Sequence, residues 1–254
     1  MKPPRLNAFR ITAVIFALAV IFSLPALRGS GRTLDHGANL RRFLARFWPP
    51  DFSILPDILP ALGETIQIAV LATLAAGLVS LVVAIAAARN IAPAPVVLIA
   101  RFGLNVIRSI PSLIWALLAV AAFGANSLAG VTGLAFYSIG YLGKFFSDAF
   151  ESVESGVSDA LRASGADAIQ GFQYGIWPHA RPLIWSHTLW MLEYNIRSAA
   201  IIGYVGAGGI GTWLHTYQEY YQWDKFAAVL CCILVLVLIL DFAGERIRRQ
   251  FAAG

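Results

Sequence analysis

The residues of this 254-residue chain that could ligate a metal or carry nucleophilic chemistry are few, and their spacing supports neither. His36, His179, His187 and His215 form no pair at i and i+4 on one helix, the arrangement a zinc-binding helix uses. Cys231 and Cys232 are adjacent inside an apolar run, which neither frames a disulfide nor resembles a zinc site, so they read as small helix residues. Neither H-E-x-x-H, G-x-S-x-G nor the phosphate-binding G-x-x-x-x-G-K-[ST] occurs. One glycine motif does: Gly206, Gly208 and Gly211 match G-x-G-x-x-G after the apolar Ile201 to Val205. A dinucleotide site needs a βαβ unit around that motif, which the surrounding pattern does not supply. Gly206, Gly208, Gly209 and Gly211 therefore read as a segment where the backbone turns sharply and packs closely. No metal, no cofactor and no catalytic set is expected in this chain.

The elements that carry these residues are built for lipid. Hydrophobic residues make up 58% of the chain and charged residues 13%, and the mean hydropathy is +0.70, outside the range of ordinary soluble domains. The apolar stretches recur at close to the roughly 20 residues a helix needs to cross a bilayer core of about 30 Å. Helices satisfy their own backbone groups there, so the fold class is an all-α membrane protein with about six transmembrane helices. The expected spans are Ile11 to Leu27, Ile66 to Ala88, Val96 to Phe123 with a kink at Pro111, Leu128 to Phe146, Leu183 to Val205 and Phe226 to Ala243. The first is longer than a usual signal-peptide core and lacks a clear cleavage site, so it reads as a retained anchor. Arg28 to Pro60 is Arg- and Pro-rich and should lie outside the hydrocarbon, with a short surface helix near Leu40 to Trp48.

The net charge of +5 does not point to nucleic acid, because the basic residues flank apolar segments and form no stripe interleaved with aromatics. They read as topology signals. Placing the N-terminus inside puts Lys2, Arg5, Arg10, Arg89, Lys144, Arg162, Arg181, Arg246, Arg248 and Arg249 on the cytoplasmic side. Arg28, Arg32, Arg41, Arg42, Arg46 and Lys225 then fall outside, so the first outer loop runs against the bias. Within the spans, an unpaired charge near the bilayer centre costs about 3 kcal/mol, so such residues should face protein or water. Arg101, Asn105, Arg108 and Ser112 share one helical face, either snorkelling to lipid phosphates or facing the bundle. Glu193 and Arg197 stand at i and i+4 and can pair, either to neutralise each other or to line a pathway.

Between the fourth and fifth spans the chain reads Asp159-Ala160-Leu161, three residues, Gly165, nine residues, then Gly175-Ile176-Trp177-Pro178. This resembles the coupling motif of ABC importer permeases, Glu-Ala-Ala, three residues, Gly, nine residues, Ile-x-Leu-Pro. The spacing is kept in full, with Asp159 for Glu, Leu161 for Ala, Gly175 for Ile and Trp177 for Leu. Physically it suits two short helices: Ser158 and Asp159 capping the first, Gly165 allowing the bend or a close approach, and Pro178 stopping the second. Two further segments look like the phosphonate importer permeases: Arg108-Ser109-Ile110-Pro111-Ser112-Leu113-Ile114-Trp115, and Asn195-Ile196-Arg197-Ser198 running on to Gly206-Ala207-Gly208-Gly209-Ile210-Gly211. Tyr137 to Lys144 supports the same match.

What the resemblance implies is a permease subunit with a type I, MetI-like importer core, multi-pass in the bacterial cytoplasmic membrane and not itself an enzyme. Its cargo would be a small phosphorus oxyanion, phosphonate first, then phosphite or phosphate esters. Methionine or quaternary-amine import is the alternative within transport, and an intramembrane enzyme the alternative of another class. The implied partners are a second permease copy, two ATP-binding cassette subunits that hold ATP and Mg, an extracytoplasmic substrate-binding protein and membrane lipid, with no nucleic acid. Asp159, Ala160, Leu161, Gly165, Ile176 and Pro178 would couple to the ATPase. Arg108, Ser109, Pro111, Glu193, Asn195 and Arg197 are the pathway candidates. Residues 1–61 would form the anchor and outer loop, 62–246 the transmembrane domain and 247–254 a cytoplasmic tail.

Overall fold

The computed structural model describes residues 8–27 and 35–252, and its contacts divide the chain into two units at Ala45 and Arg46. In the first unit, α1 (Ala8–Ser23) continues as a 3-10 turn over Leu24–Leu27, and α2 (His36–Ala45) follows. From Ala13 to Phe22 α1 is apolar on every side, which suits a helix that crosses a membrane. α2 carries Leu40, Phe43 and Leu44 on one side and Arg41 and Arg42 beside them, the pattern of a helix lying at a membrane surface.

The second unit holds α3 (Leu55–Ala87), α4 (Ala94–Ser109), α5 (Ser112–Phe123), α6 (Ser127–Glu151), α7 (Ser155–Ala163) and α8 (Ala168–Gln170). A π-helical turn over Gly171–Ile176 then leads into α9 (Trp177–Gly203), followed by α10 (Gly211–Glu219) and α11 (Trp223–Ala252). α6 is the central element and packs against α3, α4, α5 and α9, while α11 lies along α9. Its contact with α3 is close because α3 turns Ala69, Ala72, Ala76 and Ala84 inward, and short side chains let the backbones approach where no hydrophobic effect drives them together.

Three stretches, Phe9–Ala26, Phe52–Ala87 and Trp223–Arg248, are long and apolar enough to cross a membrane, and α4 with α5 makes a fourth as a bent pair. α6 and α9, at 25 and 27 residues, are long enough at about 1.5 Å per residue but more polar. They lie inside the bundle, where Ser138, Ser147, Asn195 and Ser198 meet protein and not lipid. All six expected spans thus have a helix.

The boundaries differ in three places. α3 begins at Leu55, eleven residues before the expected span, because Pro56 sits in the first turn where a missing N–H costs nothing, and Pro60 is accommodated close behind. The expected kink at Pro111 is a break of 87°: Ile110 and Pro111 both take extended backbone angles, so α4 and α5 are separate helices. α11 runs from Trp223 to Ala252, past both ends of the expected span of Phe226 to Ala243.

Candidate functional site

The segment between α6 and α9 folds as a helix, a tight bend and a second helical stretch. α7 ends in a Schellman motif, with the Gly165 N–H bonded to the Arg162 carbonyl at 2.9 Å and the Ala166 N–H to the Leu161 carbonyl at 3.1 Å. Gly165 has φ +90°, and a Cβ added there meets nothing within 4 Å. The bend, and not a close approach, is therefore what requires glycine. Asp167 caps α8 reciprocally with Gln170. Asp159 lies past the first turn of α7, which starts at Ser155 with no side-chain cap, so it does not cap the helix; the side chain of Ser158 lies outside the described residues. Pro178 does not stop the second helix either. It stands at the start of α9, just after the π turn over Gly171–Ile176, and the helical chain runs on through it.

This element presents one face to solvent and one to the bundle. Asp159, Ala160, Gly165 and Pro178 are exposed, Leu161 is half-buried and Ile176 is buried beside Phe146, Phe150 and Met191. Ile169 is 74% and Tyr174 63% exposed, so apolar side chains stand outward on a surface that carries charge around them. Phe150 at the end of α6 meets Phe172 of the π turn edge-on at 5.4 Å, fastening the segment to the bundle.

At the opposite end of α9, Gly206, Gly208 and Gly209 take φ values of +88°, +82° and +75°, turning the chain sharply before α10. The loop is pinned to α3 by the Ile210 N–H, which donates to Thr65 Oγ1 at 2.8 Å. A Cβ at Gly209 would stand 2.6 Å from that same oxygen, and one at Gly211 2.2 Å from the Ala200 carbonyl. Glu64, which accepts from Ser127 Oγ, borders the loop. No strand occurs among the described residues, so nothing around these glycines forms a dinucleotide site.

The charged residues within the helices find partners that their local spacing does not predict. Glu193 accepts from Arg248 and not from Arg197, and Arg197 donates to both oxygens of Asp241, at 2.9 and 3.3 Å. Both pairs join α9 to α11, whose approach offers each charge a better-placed partner than the next turn of its own helix. Arg101 does not snorkel: its Nη2 donates to Glu151 at 2.5 Å and its Nε to the Ala87 carbonyl at 2.9 Å. Asn195 is fully buried and bridges three helices, donating to Thr73 Oγ1 of α3 and Ser138 Oγ of α6, each at 2.9 Å, and accepting from Ser138 at 3.1 Å. Sequence reasoning missed Glu151, Asp241 and Arg248 as partners; the one available signal was their opposite charge near the ends of predicted spans.

Arg108 is different. It lies 5.5 Å over the Tyr141 ring and reaches Asn105 Oδ1 at 3.5 Å, and among the described residues it makes no ion pair. It closes α4 beside the 87° break, where Ser109 and Pro111 are exposed and the Trp115 indole N–H bridges back to the Ile107 carbonyl at 3.1 Å. Tyr137 and Tyr194 stack beside Tyr141, with the Tyr194 hydroxyl donating to that of Tyr137 at 2.8 Å.

Residues 80–252 match the family model described as the inner membrane component of binding-protein-dependent transport systems. This chain belongs to that family. Membership makes it a multi-pass transport subunit of the inner membrane, the permease of an ABC importer. The chain is 39% identical over 204 residues to a phosphite transport system permease protein of Stutzerimonas stutzeri, covering 80% of this chain and 74% of that one. It is 32% identical over 237 residues to a phosphate-import permease protein of Mycolicibacterium smegmatis, covering 93% of this chain but 43% of that one. Among solved structures, the MetNI methionine ABC transporter in an inward-facing conformation matches with a TM-score of 0.71 at 22% identity, over 79% of this chain and 99% of that one. That likeness establishes the MetI-like fold of the permease core.

Proposed function

We propose that this chain carries a small phosphorus oxyanion, phosphite or an alkylphosphonate, across the inner membrane, and that Arg108 meets the cargo on its way. The observation that carries this reading is the unpaired guanidinium at the helix break. Arg101, Arg197 and Arg248 spend their charge on carboxylates, whereas Arg108 keeps its planar fork of donors available. It is half-buried between a tyrosine ring and the end of α4, a setting that suits a passing anion better than a tightly held one. Relatives named for phosphite and phosphate permeases support the same class of cargo. Ser109 and Pro111 shape the break around Arg108, while Arg197 lies beside an apolar cleft of about 660 Å³ and serves the α9–α11 contact.

In this reading the chain works with a second permease copy, two ATPase subunits and an extracytoplasmic binding protein. ATP and Mg are held by the ATPase subunits, and no cofactor belongs to this chain. The exposed face of α7, α8 and the π turn, with Asp159, Ala160, Ile169 and Tyr174, docks on the ATPase, and Gly165 sets the angle between its two arms.

The test is uptake in proteoliposomes containing the assembled importer. Arg108→Ala should lower kcat/KM for phosphite and methylphosphonate at least tenfold, equivalent to about 1.4 kcal/mol, and Arg108→Lys should lower it less. Methionine and betaine should not compete. Uptake within twofold of wild type in Arg108→Ala, or competition by methionine alone, would overturn the assignment.

A further inference from the structure

Arg108 is joined to the docking segment along α6, on whose Tyr141 it lies, and through the far end of α4, where the contacts are concentrated on two consecutive residues. Glu151, the last residue of α6, accepts with one oxygen from Arg101 Nη2 at 2.5 Å and from the Arg89 N–H at 2.6 Å. Arg101 in turn donates to the carbonyl of Ala87, the last residue of α3. Asn90 Nδ2 donates to the Phe150 carbonyl at 2.8 Å. The end of α6 thus grips the end of α3, the turn after it and the second turn of α4.

The same two residues adjoin the docking segment. Ser152, Val153 and Glu154 are all that separate Glu151 from α7, and Phe150 meets the π turn through Phe172. Val153, Phe172 and Trp177 pack against the cluster that contains Phe150 and Phe146. Burial raises the Glu151 carboxyl, but the hydrogen bond from the Arg89 N–H and the Arg101 guanidinium outweigh it and hold its pKa below the usual carboxylate range. It is ionised at neutral pH, so the grip is charge-assisted there.

From Arg101 to Arg108 is seven residues on one uninterrupted helix, about 10 Å and the same face. α4 is therefore a lever with Glu151 at one end and the break with its unpaired arginine at the other. We infer that Glu151 is the positioning residue through which movement of the docking segment turns α4 and re-aims Arg108. Its role is mechanical: it touches neither nucleotide nor cargo. The inference rests on the coupling role proposed above for α7 and α8.

Amide hydrogen exchange of the assembled importer, with and without ATP and vanadate, tests it without reference to cargo. In the wild type, nucleotide should change exchange both over residues 152–177 and over residues 104–116 at the break. In Glu151→Ala the first change should persist and the second fall to a small fraction of its wild-type size, and cargo moved per ATP should fall about tenfold. Glu151→Gln keeps an acceptor for the Arg89 N–H and should fall between, which keeps the test available if the alanine variant does not assemble. A wild-type response at 104–116 in both variants would overturn the inference. A wild type with no response at 152–177 would instead overturn the docking role on which it depends, so the two failures are distinct.

Discussion

Replacing Asn195 by leucine distinguishes a residue that holds helices together from one that meets cargo. Asn195 is inaccessible and ties α9 to α3 and α6 through Thr73 and Ser138. Interhelical side-chain bonds in membranes average about 0.6 kcal/mol and reach about 1.7, so loss of contacts to two partners costs about 1–3 kcal/mol. The stranded groups have outlets that limit the damage. Thr73 already donates to the Ala69 carbonyl at 2.7 Å, and the Ser138 hydroxyl can turn to its own helix. Leucine also refills most of the volume, so no large cavity adds to the loss. Asn195→Leu should therefore lower unfolding stability in mild detergent by about 1–3 kcal/mol, while uptake per folded molecule stays within twofold of wild type. Asn195→Asp places a carboxylate in the same inaccessible site and should be far more damaging at neutral pH. Unfolding monitored by tryptophan fluorescence, alongside phosphite uptake normalised to folded protein, provides the two measurements. A tenfold loss of uptake in Asn195→Leu without loss of stability would refute the structural assignment and return Asn195 to the pathway.

Two further outcomes follow from the geometry. Gly165→Ala forces a side chain to φ +90° in open space, so it should cost about 1–2 kcal/mol in the bend alone, leaving insertion intact and reducing substrate-stimulated ATPase activity. Gly165→Trp should abolish that stimulation, and unchanged stimulation in both variants would remove this segment from coupling. Glu193→Ala strands Arg248 and should lower folded yield, whereas Glu193→Ala with Arg248→Ala should recover it; additive losses in the double variant would show that the two do not act as a pair.

Class, spans and the bent segment of α7 and α8 were legible because each depends on neighbours in sequence. Runs of apolar residues near 20 long identify α1, α3 and α11 by composition alone, and the segment from Asp159 to Pro178 is recognisable because a helix, a glycine bend and a second helix are local events. Helix ends were less legible, since Pro56, Pro60 and Pro178 read as breakers in sequence, yet Pro56 sits in a first turn where its missing N–H is tolerated, Pro60 stands inside α3, and Pro178 follows the π turn into α9.

The partners of the charges were decided only by tertiary structure. Glu193 and Arg197 have the spacing of a pair, but Arg248 and Asp241, 55 and 44 residues away, are brought closer to them by the packing of α11 on α9. No local pattern reports such a distance, because the energy of an ion pair depends on the separation of its charges in space and on the water they lose, not on the chain between them. The same holds for Asn195, whose polarity within a span marks it as buried against protein but does not say that three helices share it. It holds equally for Arg108, distinguished from Arg101 on the same face only because the end of α6 brings Glu151 to one arginine and leaves the other without a carboxylate among the described residues.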